Sequence, residues 1–283
     1  MNNQEFYIGW MPKAPASFAK QVKRTLFVLF PLALIAGLLL ASFQKRFSTA
    51  RFEFGKATLV KGIYIAMPVP MLRVTGGKDI WGNASYVSIP LVGYGKHGAK
   101  TAIAELEKEK NTLFNNKELA IKGTLLYSDG KILLQVNKDE DPVVSVNDEA
   151  HASLGGGTDL GIQHIRGEIV DPKCYFGVMK PGEGKVHRDC AVRCILGGIP
   201  PVLKVMDEKG RLNYCLIVGP AGEEMNEAVQ DYVAEPVELE GRLVRQDDWY
   251  LLYVKDKKIQ RVSAISLYRS QEEIASCISS CMK

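Results

Sequence analysis

The sequence predicts a mainly β protein: an N-terminal transmembrane helix followed by two tandem, small antiparallel β-barrel (OB-like) domains, each with one short helix. Three observations predict this class. An uncharged apolar run lies near the N-terminus, short β-rich segments bounded by Gly, Pro, Asn or Asp follow it, and part of the chain is repeated. An apolar content of 46% and a charged content of 24% are those of a folded protein.

The apolar run is Thr25–Phe43, which contains no charged residue. As a helix it is roughly 28 Å long, enough to cross a hydrocarbon core. A cleavable signal peptide is one alternative, although the preceding segment 1–24 is long and no A-x-A-like cleavage site follows. A buried core helix is the other alternative. We expect an uncleaved anchor in the lipid bilayer.

Orientation is harder to predict, because basic residues lie on both sides of residues 25–43. Long soluble regions behind a single N-terminal anchor usually lie outside the cytoplasm. We therefore expect segment 1–24 in the cytoplasm and the bulk of the chain on the periplasmic side of a cell inner membrane, crossed once. The cysteines would then be in an oxidising compartment.

The repeat pairs LAIKGTLLYSDGKILLQV, residues 119–136, with VELEGRLVRQDDWYLLYV, residues 237–254, at a constant offset of 118. Gly123 aligns with Gly241, and Asp129 in a predicted hairpin turn aligns with Asp247. A helix-compatible stretch precedes each copy. The alternative is two unrelated antiparallel sandwiches. The predicted organisation is a first OB-like domain at 52–146, a linker at 147–161, a second OB-like domain at 162–268 and a helical tail at 269–283.

The second copy contains a segment that the first lacks, and this segment has three of the six cysteines. HRDCAVRC places His187, Cys190 and Cys194 at H-x2-C-x3-C. On a helix these spacings put all three on one face, and Cys174 is a candidate fourth ligand. A Cys3His set suits zinc, and thiolate with imidazole also suits copper.

Two other interpretations remain open for this segment. Two of its cysteines would form a disulfide that pins the loop, or Cys190 and Cys194 would act as a working dithiol with His187 as the base. The spacing differs from the C-x-x-C of common redox motifs. No recognisable hydrolase or nucleotide-binding motif is present in the sequence.

The pattern G-x-(V/I)-x-D-x-x-C, H-x2-C-x3-C, G-x-x-P-V and a final V-x-(V/L)-x-G strand, over residues 165–256, resembles small exported bacterial domains that are mostly uncharacterised and β-rich. The resemblance implies an extracytoplasmic β domain. The residues of this chain that match the pattern's functional positions are Cys174, His187, Cys190 and Cys194, with Asp171 as a supporting residue. The chain departs from the pattern in its longer loop after Cys174 and in its cysteine-free first copy.

A second cysteine pair, Cys277 and Cys281, lies in the helix-compatible C-terminal tail. An idle or self-paired tail is one interpretation, and a tail that contacts the loop or a partner is the other.

These features predict a non-catalytic, membrane-anchored accessory protein that binds a membrane protein complex, for assembly or electron transport, with a Cys/His loop that holds a metal or a disulfide. The first alternative is a thiol-disulfide or copper-handling redox protein using Cys190 and Cys194. The second is an OB-type oligonucleotide-binding module. The net charge of +4 and the scattered basic residues argue against nucleic acid as a partner.

Overall fold

The computed structural model describes residues 16–44, 50–78, 82, 84–137, 141–148, 157–207 and 210–263. The chain divides into two units, Met1–Thr49 and Ala50–Lys283. The described part of the first unit is one helix, α1 (Ala16–Gln44), with Pro31 inside it. Within it, Phe18–Ser42 is long and apolar enough to cross a membrane, and an 18-residue window of this stretch has a mean hydropathy of 2.4. A signal sequence has the same properties.

The second unit contains two closed five-stranded β-barrels, as the sequence predicts. In the first barrel the ring order is β5-β2-β3-β4-β6, and β6 pairs again with β5. Its neighbours are antiparallel except for β4 and β6, which are parallel. Two short strands, β1 and β7, add to β5 outside the ring. The elements are β1 (Arg51–Phe52), β2 (Thr58–Ile65), β3 (Met71–Lys78), β4 (Ala84–Val92), α2 (Ala99–Glu109), β5 (Glu118–Ser128), β6 (Lys131–Val136) and β7 (Val143–Asn147).

The second barrel repeats this topology, with the ring order β11-β8-β9-β10-β12 and a parallel β10–β12 pair. Strand β8 begins at Thr158, inside the segment predicted as the linker. Its elements are β8 (Thr158–Val170), α3 (Arg188–Leu196), β9 (Val202–Met206), β10 (Leu212–Val218), α4 (Asn226–Val229), β11 (Pro236–Gln246) and β12 (Trp249–Arg261).

The offset of 118 found in the sequence holds in three dimensions, since β5 and β11 begin and end 118 residues apart. The repeated glycine has a packing reason. A Cβ on Gly123 would lie 2.4 Å from the carbonyl oxygen of Gln135, and one on Gly241 would lie 2.5 Å from that of Tyr253. Both glycines therefore permit the same close approach of the two strands of the closing hairpin.

Each barrel has its own apolar core, and a third apolar cluster joins the barrels. That cluster includes Met71 and Leu133 from the first barrel and Phe176, Leu216 and Trp249 from the second. The two barrels are therefore not independent domains, because each buries apolar side chains against the other.

The polar contacts between the barrels are reciprocal. At the tip of the second barrel's closing hairpin, Asp247 accepts hydrogen bonds from Arg73 and from the hydroxyl of Ser88, both in the first barrel. At the corresponding tip of the first barrel, Asp129 accepts a hydrogen bond from the hydroxyl of Tyr214. Ser88 and Tyr214 occupy equivalent positions in β4 and β10, so the repeat has become a pseudo-twofold interface.

The barrels differ most in the connection after their first strand. In the first barrel, residues 66–70 join β2 to β3; in the second, residues 171–201 join β8 to β9. This long connection contains the predicted Cys/His segment, and we call it the cysteine loop.

Candidate functional site

The cysteine loop is mostly ordered by short helical elements. Cys174 begins a π-helical turn that ends at Val178. His187 is the N-cap residue of α3, and the helix ends at Gly197, as the sequence predicts. In this way α3 presents Cys190 one turn after His187, and the π-helical turn brings Cys174 to the same place.

Three of the predicted ligands meet at the start of α3. The sulfurs of Cys174 and Cys190 and a ring nitrogen of His187 all lie within 4.8 Å of one another. Cys174 and His187 are each 4% exposed, whereas Cys190 is half-buried. Two thiols and one imidazole at such distances need only small rotations to bind one ion at about 2.0–2.3 Å.

His187 has an unpaired buried nitrogen at this site. Its Nε2 is inaccessible to solvent and has no hydrogen-bond partner among the described residues. An unpaired polar atom of this kind destabilises a fold by about 1–3 kcal/mol unless a ligand uses it. Burial lowers the pKa of His187 below its usual value; the negative charge of Asp171 opposes this shift and the positive charge of Lys96 adds to it. The neutral imidazole, which is its metal-binding form, is therefore favoured.

Cys194 belongs to a second group. Its sulfur, the sulfur of Cys174 and a carboxylate oxygen of Asp171 lie within 4.8 Å of one another, and all three residues are buried. The four predicted ligands are therefore divided between two overlapping triads that share Cys174. The reason is the rise of the helix: residues seven apart share a face but are about 10.5 Å apart along the axis, too far for one ion.

Asp171 is fully buried beside these thiols. Its Oδ1 accepts a hydrogen bond of 2.9 Å from the backbone N–H of Lys173, while Oδ2 has no hydrogen-bond partner among the described residues. The pKa of the Cys174 thiol is raised by its contact with Cys194, by burial and by the Asp171 charge. The Cys174 thiol is therefore harder to deprotonate than an ordinary cysteine, and a bound cation would favour its thiolate.

The four described cysteines are all free thiols. Cys215 lies in β10 and joins the core of the second barrel with Ile217 and Leu252. It takes part in neither triad. Cys277 and Cys281 lie outside the described residues.

The first barrel contributes a loop to this site, Gly93–Gly98. Lys173 is 3% exposed, and its Nζ donates hydrogen bonds of 2.7 Å to the carbonyl oxygens of both Gly93 and Gly95. Lys96, in the same loop, places its Nζ 3.3 Å from the sulfur of Cys190. This hydrogen bond raises the pKa of Lys96, so a cation stands beside the more accessible thiol.

Backbone packing locks the same loop onto the end of α3. The N–H of Gly98 donates to the carbonyl oxygen of Gly197 at 2.8 Å. A Cβ on Gly98 would lie 2.0 Å from the carbonyl oxygen of Gly198, so only glycine fits there. Both barrels therefore contribute to the site: the second barrel supplies the thiols and the imidazole, and the first barrel supplies the Gly93–Gly98 loop with Lys96.

No protein-family model matches the chain, and no curated protein matches it. Among solved structures, the chain is similar at 12% sequence identity to a deletion mutant of the single-stranded DNA-binding protein from Thermus aquaticus, over 76% of this chain and 88% of that one, with a TM-score of 0.20.

Proposed function

We propose that this protein is a non-catalytic accessory protein, anchored in a membrane by α1, whose paired barrels hold a metal ion at Cys174, His187 and Cys190 outside the cytoplasm. The observation that carries the proposal is the convergence of these three donors within 4.8 Å around a buried imidazole. Thiolate and imidazole donors suit zinc and monovalent copper.

The surroundings of the triad support a binding site in preference to a redox-active dithiol. Cys190 and Cys194 are the two cysteines of the dithiol interpretation, yet they are members of different triads. Cys194 is 2% exposed, whereas exchange with a substrate disulfide needs an accessible sulfur. A rigid wall, formed by Lys173 and the Gly93–Gly98 loop, holds the ligands in place as metal sites require.

Two further parts of the proposal concern location and partners. The uncharged run at residues 25–43 of α1, with a mean hydropathy of 2.4 over an 18-residue window, supports an anchor. Val186, next to His187, is 85% exposed, and Tyr94, two residues from Lys96, is 56% exposed. These two side chains lie next to residues of the site, and we propose this face as the one that contacts a membrane protein complex. We also group the second barrel with the exported β-rich domains that share its cysteine pattern.

The metal test uses the full chain, reduced and purified in detergent. Zinc and monovalent copper are offered separately under anaerobic conditions, and bound metal is measured by mass spectrometry. We expect one ion per chain, and His187→Ala should weaken binding at least about tenfold, because even the loss of an outer-shell partner weakens metal binding about 10–100-fold. The matched control is His164→Ala, since His164 is 62% exposed on β8.

Unchanged binding by His187→Ala, or equal losses in both variants, would overturn the metal site.

Location has a separate test, in which a phosphatase reporter that is active only outside the cytoplasm is fused after residue 283. An inactive reporter on a membrane-bound chain would reverse the proposed orientation.

A further inference from the structure

The shared position of Cys174 in the two triads has a chemical consequence. Its sulfur lies within 4.8 Å of Cys190 and His187 on one side and within 4.8 Å of Cys194 and Asp171 on the other. A thiolate can donate to a metal, but a sulfur already joined to another sulfur has lost the negative charge that makes it a good ligand. Cys174 can therefore serve one group or the other at a given time.

We propose that Cys174 and Cys194 form a disulfide under oxidising conditions, and that this disulfide and the metal ion exclude one another. This proposal rests on the proposed function, since it adds redox control to the same site. The two sulfurs lie within 4.8 Å of each other, so closing the bond to about 2.05 Å requires an approach of at most about 2.8 Å.

The chemistry balances with a disulfide oxidant, either a small molecule such as oxidised glutathione or the disulfide of an oxidoreductase. Cys174 and Cys194 together lose two electrons and two protons as their S–S bond forms. The S–S bond of the oxidant breaks, and the oxidant leaves as two thiols that carry those electrons and protons. A metal ion bound through Cys174 is released in the same event.

The geometry also gives the oxidant a route to this buried pair. Cys190 is half-buried, whereas Cys174 and Cys194 are buried, so an oxidant reaches the sulfur of Cys190 first. The Cys190 thiolate attacks the oxidant, and Cys174 then displaces the second thiol to give a Cys190–Cys174 disulfide. Cys194 attacks Cys174 in the last exchange and regenerates the Cys190 thiol. The second and third exchanges each join sulfurs of this chain that lie within 4.8 Å of each other.

The burial of Cys194 favours the Cys174–Cys194 disulfide as the end product of these exchanges. Cys194 is 2% exposed and Cys174 is 4% exposed, so the final bond is shielded from external thiols, whereas a bond to Cys190 is not. Reduction of the inner disulfide has to pass back through Cys190. In the oxidising compartment proposed above, the site would thus hold metal where the ion binds before Cys174 is oxidised, and it would stay empty once the disulfide has formed.

The experiment uses the full chain in detergent, incubated with an excess of oxidised glutathione, with zinc and without it. Disulfides are mapped by peptide mass spectrometry, and bound zinc is measured before and after oxidation. We expect a Cys174–Cys194 bond, a free Cys190, and a zinc affinity at least about tenfold weaker in the oxidised protein. Bound zinc should slow the formation of the bond.

The variant Cys194→Ala separates the two roles of Cys174. It should bind zinc normally when reduced, because Cys194 is not in the ligand triad, and the Cys174–Cys194 bond can no longer form. Cys215→Ala is the matched control, a buried cysteine in a barrel strand that should change neither result.

A mapped Cys174–Cys190 end product, full zinc binding by the oxidised protein, or a loss of zinc binding in reduced Cys194→Ala would each overturn the proposal. The failure of the proposed function is distinguishable from all of these, because it would appear as an absence of zinc in the reduced wild-type chain, whatever the disulfide map shows.

Discussion

The buried ion pair between the barrels gives a prediction with a built-in control. Asp247 accepts from Arg73 Nε at 2.9 Å and from Nη2 at 2.8 Å, and it also accepts from the hydroxyl of Ser88 at 2.8 Å. The side chains of Arg73 and Asp247 are only 7% and 9% exposed. Removing one partner of a buried pair leaves an uncompensated charge, which destabilises a protein by about 3–5 kcal/mol.

The substitution to make is Asp247→Asn. Asparagine tolerates the φ of 51° at this turn, so the backbone is not strained, and its remaining carbonyl oxygen keeps one acceptor. We therefore expect a loss near the lower end of that range, about 3 kcal/mol. The matched control is Asp129→Asn, with a φ of 49° at the equivalent turn. Its partner across the interface is the neutral hydroxyl of Tyr214, so the expected loss is about 1–1.5 kcal/mol.

The assay is urea unfolding of the full chain in detergent, followed by fluorescence. Trp249 is 1% exposed, and its indole N–H donates to the carbonyl oxygen of Ser88, so it reports on the interface directly. With a slope of about 2–3 kcal/mol per molar urea, Asp247→Asn should lower the midpoint by roughly 1 M. If Asp129→Asn is as damaging as Asp247→Asn, or if Asp247→Asn changes the midpoint by less than about 0.3 M, the ion pair does not stabilise the interface as described.

Three further results should follow from the contacts at the site and the interface. Lys173→Met leaves two carbonyl oxygens of the Gly93–Gly98 loop without their buried donor, so it should lower the free energy of unfolding by about 2–4 kcal/mol. The exposed control Lys185→Met should change that free energy little, and equal effects of the two substitutions would show that Lys173 does not hold the loop in place. Gly98→Ala places a Cβ 2.0 Å from the carbonyl oxygen of Gly198 in the cysteine loop, so it should lower both the stability of the chain and its affinity for metal. A stable variant with normal metal binding would show that this close backbone packing is not required. Burial raises the pKa of Cys215 to about 12, so at pH 8 a thiol reagent should label Cys190 before Cys215 and leave Cys215 unlabelled until the chain unfolds. Early labelling of Cys215 would contradict its burial.

The barrels could be predicted from sequence because their information is local. Alternating apolar residues and an Asp-Gly turn specify the closing hairpin, and a repeat at an offset of 118 shows that the same unit occurs twice. Helix α3 was predictable for the same reason, since Gly197 ends it and Pro200 follows. Its position also brought His187 and Cys190 together, because residues three apart are neighbours on a helix.

Two features of the site depend on distance along an axis and on packing between the barrels. The helical face does include Cys194, but two turns of rise separate its sulfur from His187, so the sequence pattern predicted one cluster where the structure has two triads. The contacts of Lys96 and Lys173 join residues far apart in sequence, 94 and 80 positions for Cys190 and Gly93 respectively. The glycines at 93, 95, 197 and 198 were the available signal, since paired glycine-rich segments often mark close backbone approach.

The central claim is that Cys174, His187 and Cys190 bind one metal ion and that Cys194 does not take part. A cobalt(II) titration of the reduced full chain tests it most directly, because thiolate-to-cobalt charge-transfer absorption reports the number of sulfur ligands. Two thiolate ligands predict that Cys190→Ser loses about half of this absorption and that Cys194→Ala keeps all of it. Equal losses in the two variants, or no charge-transfer absorption in the wild-type chain, would contradict the account.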